Sequence, residues 1–204
     1  MPRPLGGAVA AALAAWEWDV ALLQEVPPWW PRRLAASCGA LAFTAPTSRG
    51  QALPLARVLA ARRPDVVKSW GGGANVILLR GAGATVHARL RVRLTPERRV
   101  LQAVRREDGV WFGNLHGSAH EVSRAQADLE RAGAALRSWA GDEPVVFGGD
   151  LNTRTPAVPG FTHAGGHALD HVFVRGLEIA APAVTLERGG LSDHVPLLAT
   201  VRAA

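Results

Sequence analysis

With 204 residues, 48% of them apolar and 20% charged, the chain is long enough to bury a substantial core, and its composition excludes a disordered or fibrous protein. A formal net charge of +6 and a pI near 11.2 favour polyanionic partners such as nucleic acid or anionic lipid, but Lys68 is the only lysine, and the Arg-, Ala- and Gly-rich composition also fits a GC-rich coding bias. The single cysteine, Cys38, excludes an internal disulfide and a Cys-pair metal site, which suits a reducing compartment.

Met1 to Gly7 followed by the apolar stretch Ala8–Trp16 resembles a short signal peptide, yet an Ala-rich helix ahead of a strand explains it better, so the expected location is cytoplasmic, with secretion as the alternative. The stretch is too short to span a bilayer. That helix runs from Ala8 to about Glu17. Asp19–Gln24 reads as a buried strand that delivers Gln24 and Glu25 to its end. Pro27-Pro28-Trp29-Trp30-Pro31 forces a loop, Arg32–Ser37 a short helix closed by Gly39, and Leu41–Thr44 a strand. A helix is expected over Leu53–Arg62, then a buried strand over Asn75–Leu79.

From Val86 to Leu94 the alternation is strict, with His87, Arg89, Arg91 and Arg93 opposite the apolar face, which is the pattern of a half-buried antiparallel strand. Strands Arg99–Arg105 and Val110–Leu115 follow, joined by the Glu107-Asp108-Gly109 turn. Val122–Trp139 is the longest predicted helix, and Val145–Phe147, Leu169–Val174, Ala180–Leu186 and Leu197–Val201 complete the strands. Helices and strands mix without a steady βαβ alternation, so the fold class is α+β rather than a Rossmann-type sheet. There is no internal repeat and no interdomain linker, and one domain over residues 1–204 is expected.

The chain is organised around Val145–Asn152, where three apolar strand residues run into Gly148-Gly149 and then present Asp150 and Asn152. Extended backbone would put those two side chains on one face, and the glycines would let another backbone, a ligand or a metal come close. A carboxylate beside an amide suits a hard cation and a phosphoryl oxygen; a tight polar turn is the bland alternative. Other strand ends repeat the device, with Glu25, then Asn114 and His116, then Asp170, then Asp193 and His194. Five such ends on one rim would make a metal and acid/base site.

These segments, Leu23-Gln24-Glu25, Asn114-Leu115-His116, Gly149-Asp150-Leu151-Asn152, Leu169-Asp170-His171-Val172-Phe173 and Ser192-Asp193-His194, occur in the order found in the endonuclease/exonuclease/phosphatase family, and from about residue 19 onward the chain resembles a member of it. The resemblance implies a deoxyribonuclease I-like four-layer α/β/β/α sandwich of two mixed sheets. It implies Mg²⁺, with Mn²⁺ as a substitute, at Glu25 and Asp193, since the candidate ligands are oxygen donors. By the same resemblance Asp170 orients His194, Asp150 and Asn152 sit beside the scissile phosphate with Asn114 contacting substrate, and His116 stabilises the transition state or protonates the leaving oxygen. Either His194 or Asp150 activates the water.

Two departures from the family pattern stand out. In the deoxyribonuclease I branch an acid near Gly73–Asn75 orients the histidine matching His116, and here that segment carries none. Family members also begin with a strand bearing an Asn at the metal site, and nothing before Glu25 matches it, so the expectation is an N-terminally shortened member with impaired activity.

The expected function is a divalent-metal-dependent phosphoesterase cleaving phosphodiesters or phosphomonoesters, with DNA or RNA slightly ahead of lipid or small-molecule phosphates. The alternative is a catalytically impaired family member acting as a binding protein. Arg89, Arg91 and Arg93 could bind a phosphate backbone, although a solvated strand face is the plainer reading. Trp29 and Trp30 could stack on a base, although packing against the sheet is plainer. His163, His167 and His171 invite a zinc reading, which Gly165-Gly166 disfavours by breaking the helix such spacing needs. His171 alternates away from Asp170 and reads as structural. The residues leave oligomeric state open.

Overall fold

A computed structural model describes residues 5–47 and 73–203, and the helix expected over Leu53–Arg62 lies outside them. In chain order the elements are α1 (Leu5–Ala15), β1 (Val20–Val26), α2 (Pro31–Cys38), β2 (Ala40–Pro46), β3 (Ala74–Arg80), β4 (Ala84–Arg93), β5 (Arg99–Arg106), β6 (Trp111–Asn114), α3 (Val122–Ala140), β7 (Val145–Asp150), β8 (Thr162–His167), β9 (Asp170–Arg175), β10 (Leu177–Thr185) and β11 (Leu197–Ala203). The fold is α+β. Its largest sheet is six-stranded in the order β4-β5-β6-β7-β9-β8, and it is mixed because β6 and β7 run parallel, joined by the α3 crossover that a parallel pair requires.

The expectation of two mixed sheets needs correction. Among the described residues the other strands form a three-stranded sheet, β1-β3-β2, and a separate two-stranded sheet, β10-β11, and both are antiparallel. Strand β8 was not foreseen. Its Gly165-Gly166 pair has low β propensity, and it is an edge strand with a register shift between His163 and Gly165.

Three apolar clusters hold these elements together. The stripe Leu129, Ala132, Leu136 and Ala140 of α3 packs on Leu101, Phe147 and Phe173 of the six-stranded sheet and on Leu115 just beyond β6. Ile77 and Leu79 of β3 meet Val104, Phe112, Val146 and Val174 between the sheets. On the far side of β3, Val76 and Leu78 pack with Leu13 of α1 and Leu34 of α2. Strand β3 is therefore buried on both faces, which explains its unbroken apolar run.

Arg80 ties the N-terminal elements together. Its guanidinium donates to the carbonyls of Leu13 and Trp16 at the end of α1 (3.0 and 2.9 Å) and of Cys38 at the end of α2 (3.0 Å), and it lies 3.9 Å over the Trp18 ring. One cation thereby serves orphan carbonyls at two helix C-termini.

Candidate active site

The register of the six-stranded sheet builds the site. Beyond the last residue of β6 the parallel ladder continues, with Leu115 N–H donating to the Gly148 carbonyl (3.1 Å) and Gly117 N–H to the Asp150 carbonyl (2.8 Å), so His116 is held beside Asp150. Across the antiparallel pair, Asp150 stands directly opposite Asp170. The close approach explains Gly149, whose φ is 135° and where an added Cβ would fall 2.1 Å from the Leu115 carbonyl oxygen.

A line of alternating carboxylates and imidazoles results. Glu25 Oε1 lies 3.9 Å from His116 Nδ1, His116 Nε2 lies 3.4 Å from Asp150 Oδ2, His194 Nε2 lies 3.7 Å from the same oxygen, and His194 Nδ1 donates to Asp170 Oδ2 at 2.7 Å. Five segments remote in sequence thus meet. Asp150, Asp170 and His194 also present ligand atoms within 4.8 Å of one another, making them a candidate metal cluster among the described residues.

Electrostatics differentiate the groups. Burial pushes the Asp150 carboxyl up to about 6, against the N–H of Asn152 and the charge of His194, which favour its ionised form. Burial, reinforced by the charges of Arg99 and His194, pushes His116 down to about 3, so it is neutral at physiological pH. At His194 burial again opposes the charged form, but the hydrogen bond from its ring to Asp170 and the nearby carboxylates outweigh it and leave the pKa raised.

The remaining expected residues are placed differently. Asn152 does not continue the strand alternation through Leu151: its φ is 54°, its N–H donates back to Asp150 Oδ1 (3.0 Å), and its side chain donates to the Gly117 carbonyl (3.0 Å). A local side-chain turn has won over the extended backbone. Asn114 is fully buried; it accepts from Gln24 Nε2 (2.7 Å) and donates to the carbonyls of Leu23 and Val76 (3.0 and 3.1 Å), which stitches the two largest sheets together behind the site. Glu25 lies at a register break in β1 with φ 55° and an exposed side chain. Asp193 is exposed, and Ser192 is the partner of its carboxylate. His171 is buried, bonded to His163 (3.1 Å) and to the Thr153 carbonyl (3.0 Å), and this pair forms no metal cluster with His167.

Two supporting residues were missed by the sequence reading. Asp128 is fully buried on α3, where it accepts from Arg93 Nε (2.9 Å) and from both N–H and O–H of Ser118 (3.1 and 2.6 Å), fixing the segment that carries His116. A carboxylate inside the apolar stripe of a helix was the available signal. Arg99 is buried at the start of β5, where its charge acts on His116 and Asp150; nothing in the sequence distinguished it from neighbouring arginines.

The sequence profile of the Endonuclease/Exonuclease/phosphatase family matches residues 5–194. Among solved structures, a functionally unknown conserved protein from Enterococcus faecalis overlays with a TM-score of 0.74 at 16% identity, over 98% of this chain and 91% of that one. Truncated TDP2 from Caenorhabditis elegans gives 0.70 at 18% identity, over 100% and 93% of the two chains. A mannosyl-6-phosphatase from Bacteroides thetaiotaomicron gives 0.68 at 11% identity, over 98% and 90%. No curated protein sequence matches the chain. These overlays establish a shared fold at identities too low to carry a substrate across, whereas the profile covers most of the chain, and on that ground the protein belongs to the endonuclease/exonuclease/phosphatase family of phosphoester hydrolases.

Proposed function

We propose that the protein is a divalent-metal-dependent phosphodiesterase, with nucleic acid as the favoured substrate class and a phosphomonoester as the alternative. The observation that carries this reading is the single Asp150 carboxylate set between a neutral imidazole, His116, and a carboxylate-backed one, His194. Phosphoryl transfer needs a positioned nucleophile and fixed charge around the phosphorus more than it needs covalent chemistry. Asp150, with a pKa near neutrality, accepts the proton of the attacking water. His194, oriented by Asp170 and with its protonated form favoured by that carboxylate, donates to a non-bridging phosphoryl oxygen as negative charge grows on it. His116, neutral, has a single ring N–H and donates it to the phosphoryl group.

The donor set fits a hard divalent ion. Carboxylate oxygens dominate it: Glu25 is exposed beside His116, Asp150 and Asp170 face one another across the strand pair, and His194 Nδ1 is already committed to Asp170. We assign the ion, Mg²⁺ or Mn²⁺, to Glu25, with Asp193 as an outer ligand, which leaves Asp150 as the base; when bound the ion would neutralise charge on the phosphoryl oxygens. The preference for nucleic acid rests on the basic balance of the chain and on Arg89 and Arg91, both exposed on the edge strand β4.

The test is turnover of bis(p-nitrophenyl) phosphate, p-nitrophenyl phosphate and a labelled oligonucleotide, each with EDTA and with excess Mg²⁺ or Mn²⁺. Metal-dependent cleavage of the diester and the oligonucleotide is expected. Cleavage of the monoester alone would favour the phosphatase alternative, and no turnover with any metal would leave a binding protein.

A further inference from the structure

Asp128 is fully buried in the apolar stripe of α3, where Leu129, Ala132 and Leu136 pack on the sheet. A carboxylate there costs free energy that only well-placed partners offset. Both of its oxygens are engaged. Oδ1 accepts from Arg93 Nε of β4 at 2.9 Å and has Arg131 Nη1 at 3.7 Å, so the cations gather on that oxygen. Oδ2 accepts twice from Ser118, from its N–H at 3.1 Å and from its hydroxyl at 2.6 Å. Ser118 is itself 3% exposed, so water has little access to replace either bond.

Ser118 closes the segment His116-Gly117-Ser118, which follows β6 without regular structure. Gly117 N–H donates to the Asp150 carbonyl at 2.8 Å, and the Gly117 carbonyl accepts from Asn152 Nδ2 at 3.0 Å. A Cβ at Gly117 would fall 2.7 Å from the Leu151 carbonyl oxygen, so the two stretches of chain are in close contact. The Gly117 carbonyl and the Ser118 N–H belong to one planar peptide unit, which cannot turn one group without turning the other. Asp128 holds the N–H end of that unit, and Asn152 is bonded to its carbonyl end. Asn152 in turn donates its own N–H to Asp150 Oδ1 at 3.0 Å, and His116, just before Gly117, has Nε2 3.4 Å from Asp150 Oδ2.

We propose that Asp128 is a positioning residue: through Ser118 and the Gly117–Ser118 peptide it sets the orientation of His116 and Asn152 around the Asp150 carboxylate. It has no bond to any group in the line of carboxylates and imidazoles, and it acts on them only through the segment. Packing does not require a carboxylate here, since an apolar residue at this position of the stripe would meet the sheet as its neighbours do. The consequence for turnover rests on the proposed phosphoesterase reading; the positioning itself does not.

The experiment compares the whole chain with Asp128→Ala, Ser118→Ala and the double variant, and with Leu136→Ala as a control that destabilises the same helix and has no hydrogen bond to the segment. The readouts are kcat and KM for bis(p-nitrophenyl) phosphate with Mg²⁺ and, in EDTA, the NMR resonances of the His116 ring and the Asn152 side-chain amide. Asp128→Ala should lower kcat about 10–100-fold and change KM by less than about twofold, because misplacing a group that acts on the transition state costs rate more than ground-state binding. Ser118→Ala removes one of the two bonds to Oδ2 and should cost about 3–10-fold, and the double variant should be no worse than Asp128→Ala, since both cut one connection. The His116 and Asn152 resonances should shift in Asp128→Ala and hold in Leu136→Ala. An equal loss of kcat in Leu136→Ala at a matched fall in urea midpoint would overturn the proposal, because general loosening of α3 would then suffice. Unmoved resonances in Asp128→Ala, additive losses in the double variant, or a rise in KM at constant kcat would overturn it too. Should Asp128→Ala not fold, Ser118→Ala carries the same readouts, and unchanged kcat and resonances in that variant would sink the proposal. A parent chain that cleaves no phosphate ester would remove the phosphoesterase reading alone, and the spectra would still decide whether Asp128 holds His116 and Asn152 in place.

Discussion

Asp150 is expensive to fold around. Its carboxyl is buried between two imidazoles and titrates near 6, so the folded protein holds that proton more tightly than the unfolded chain does between about pH 4 and 6, and stability is lost as the pH rises through that window. In EDTA, Asp150→Asn should therefore be more stable than the parent at pH 7.5, by at most about 3 kcal/mol, with the difference vanishing near pH 4. His116 behaves in the opposite sense. Its folded pKa near 3 makes the folded state shed a proton that the unfolded chain keeps below about 6.5, so stability falls as the pH drops through that range. His116→Gln should resist acid better than the parent, and urea midpoints at pH 4 and pH 7.5 check both variants. A stability gain accompanied by lost function is what a strained site predicts.

The same residues set the rate. His194→Ala and Asp150→Ala should each lower metal-dependent turnover by about 10²–10⁴-fold without loss of cooperative unfolding, since both side chains lie outside the apolar clusters. Asp170→Asn removes the carboxylate that raises His194, so the basic limb of the pH–rate profile should move to lower pH. Near-normal rates in the alanine variants, or an unmoved basic limb, would take that residue out of the mechanism.

At the scale of elements, the short segments around the site are held by a few buried polar anchors. Arg80 joins two helix ends to β3 through a planar fork, which a lysine cannot reproduce, so Arg80→Lys should cost about 1–3 kcal/mol in the urea midpoint at constant m-value. Gly149→Ala should cost more, because the backbone conformation and the Leu115 carbonyl both exclude a Cβ; loss of soluble folded protein is the expected outcome. Periodicity identified most strands and the long helix, because burial on one or both faces writes itself into residue order. It did not identify β8, where two glycines carry little side-chain signal and pairing to β9 decides the structure. The alternation expected from Asp150 to Asn152 failed for a local reason, a side-chain hydrogen bond that turned the backbone into the left-handed region.

For the whole molecule, the basic balance becomes a measurable property only where cations are free. Arg93 is consumed by the buried Asp128, while Arg89 and Arg91 remain exposed on an edge strand. If nucleic acid is the substrate, log affinity should fall linearly with log salt, and Arg89→Ala with Arg91→Ala should reduce the slope by about one to two. A binding titration of labelled duplex at several salt concentrations decides it; a flat dependence would move the reading to a small phosphate ester.

Residue order alone was enough to establish the α+β class, most elements and the set of polar strand ends, because each of these depends on local pattern or on short motifs. Which of those ends act together was decided by register. The continuation of the β6–β7 ladder past Asn114 and the pairing of Asp150 with Asp170 bring His116, Asp150, Asp170 and His194 within a few ångströms, and no spacing along the chain encodes that. Tertiary structure likewise decided that Asn114 faces inward between sheets, since hydrogen-bond partners across a sheet are chosen by the whole fold and not by the strand that needs them.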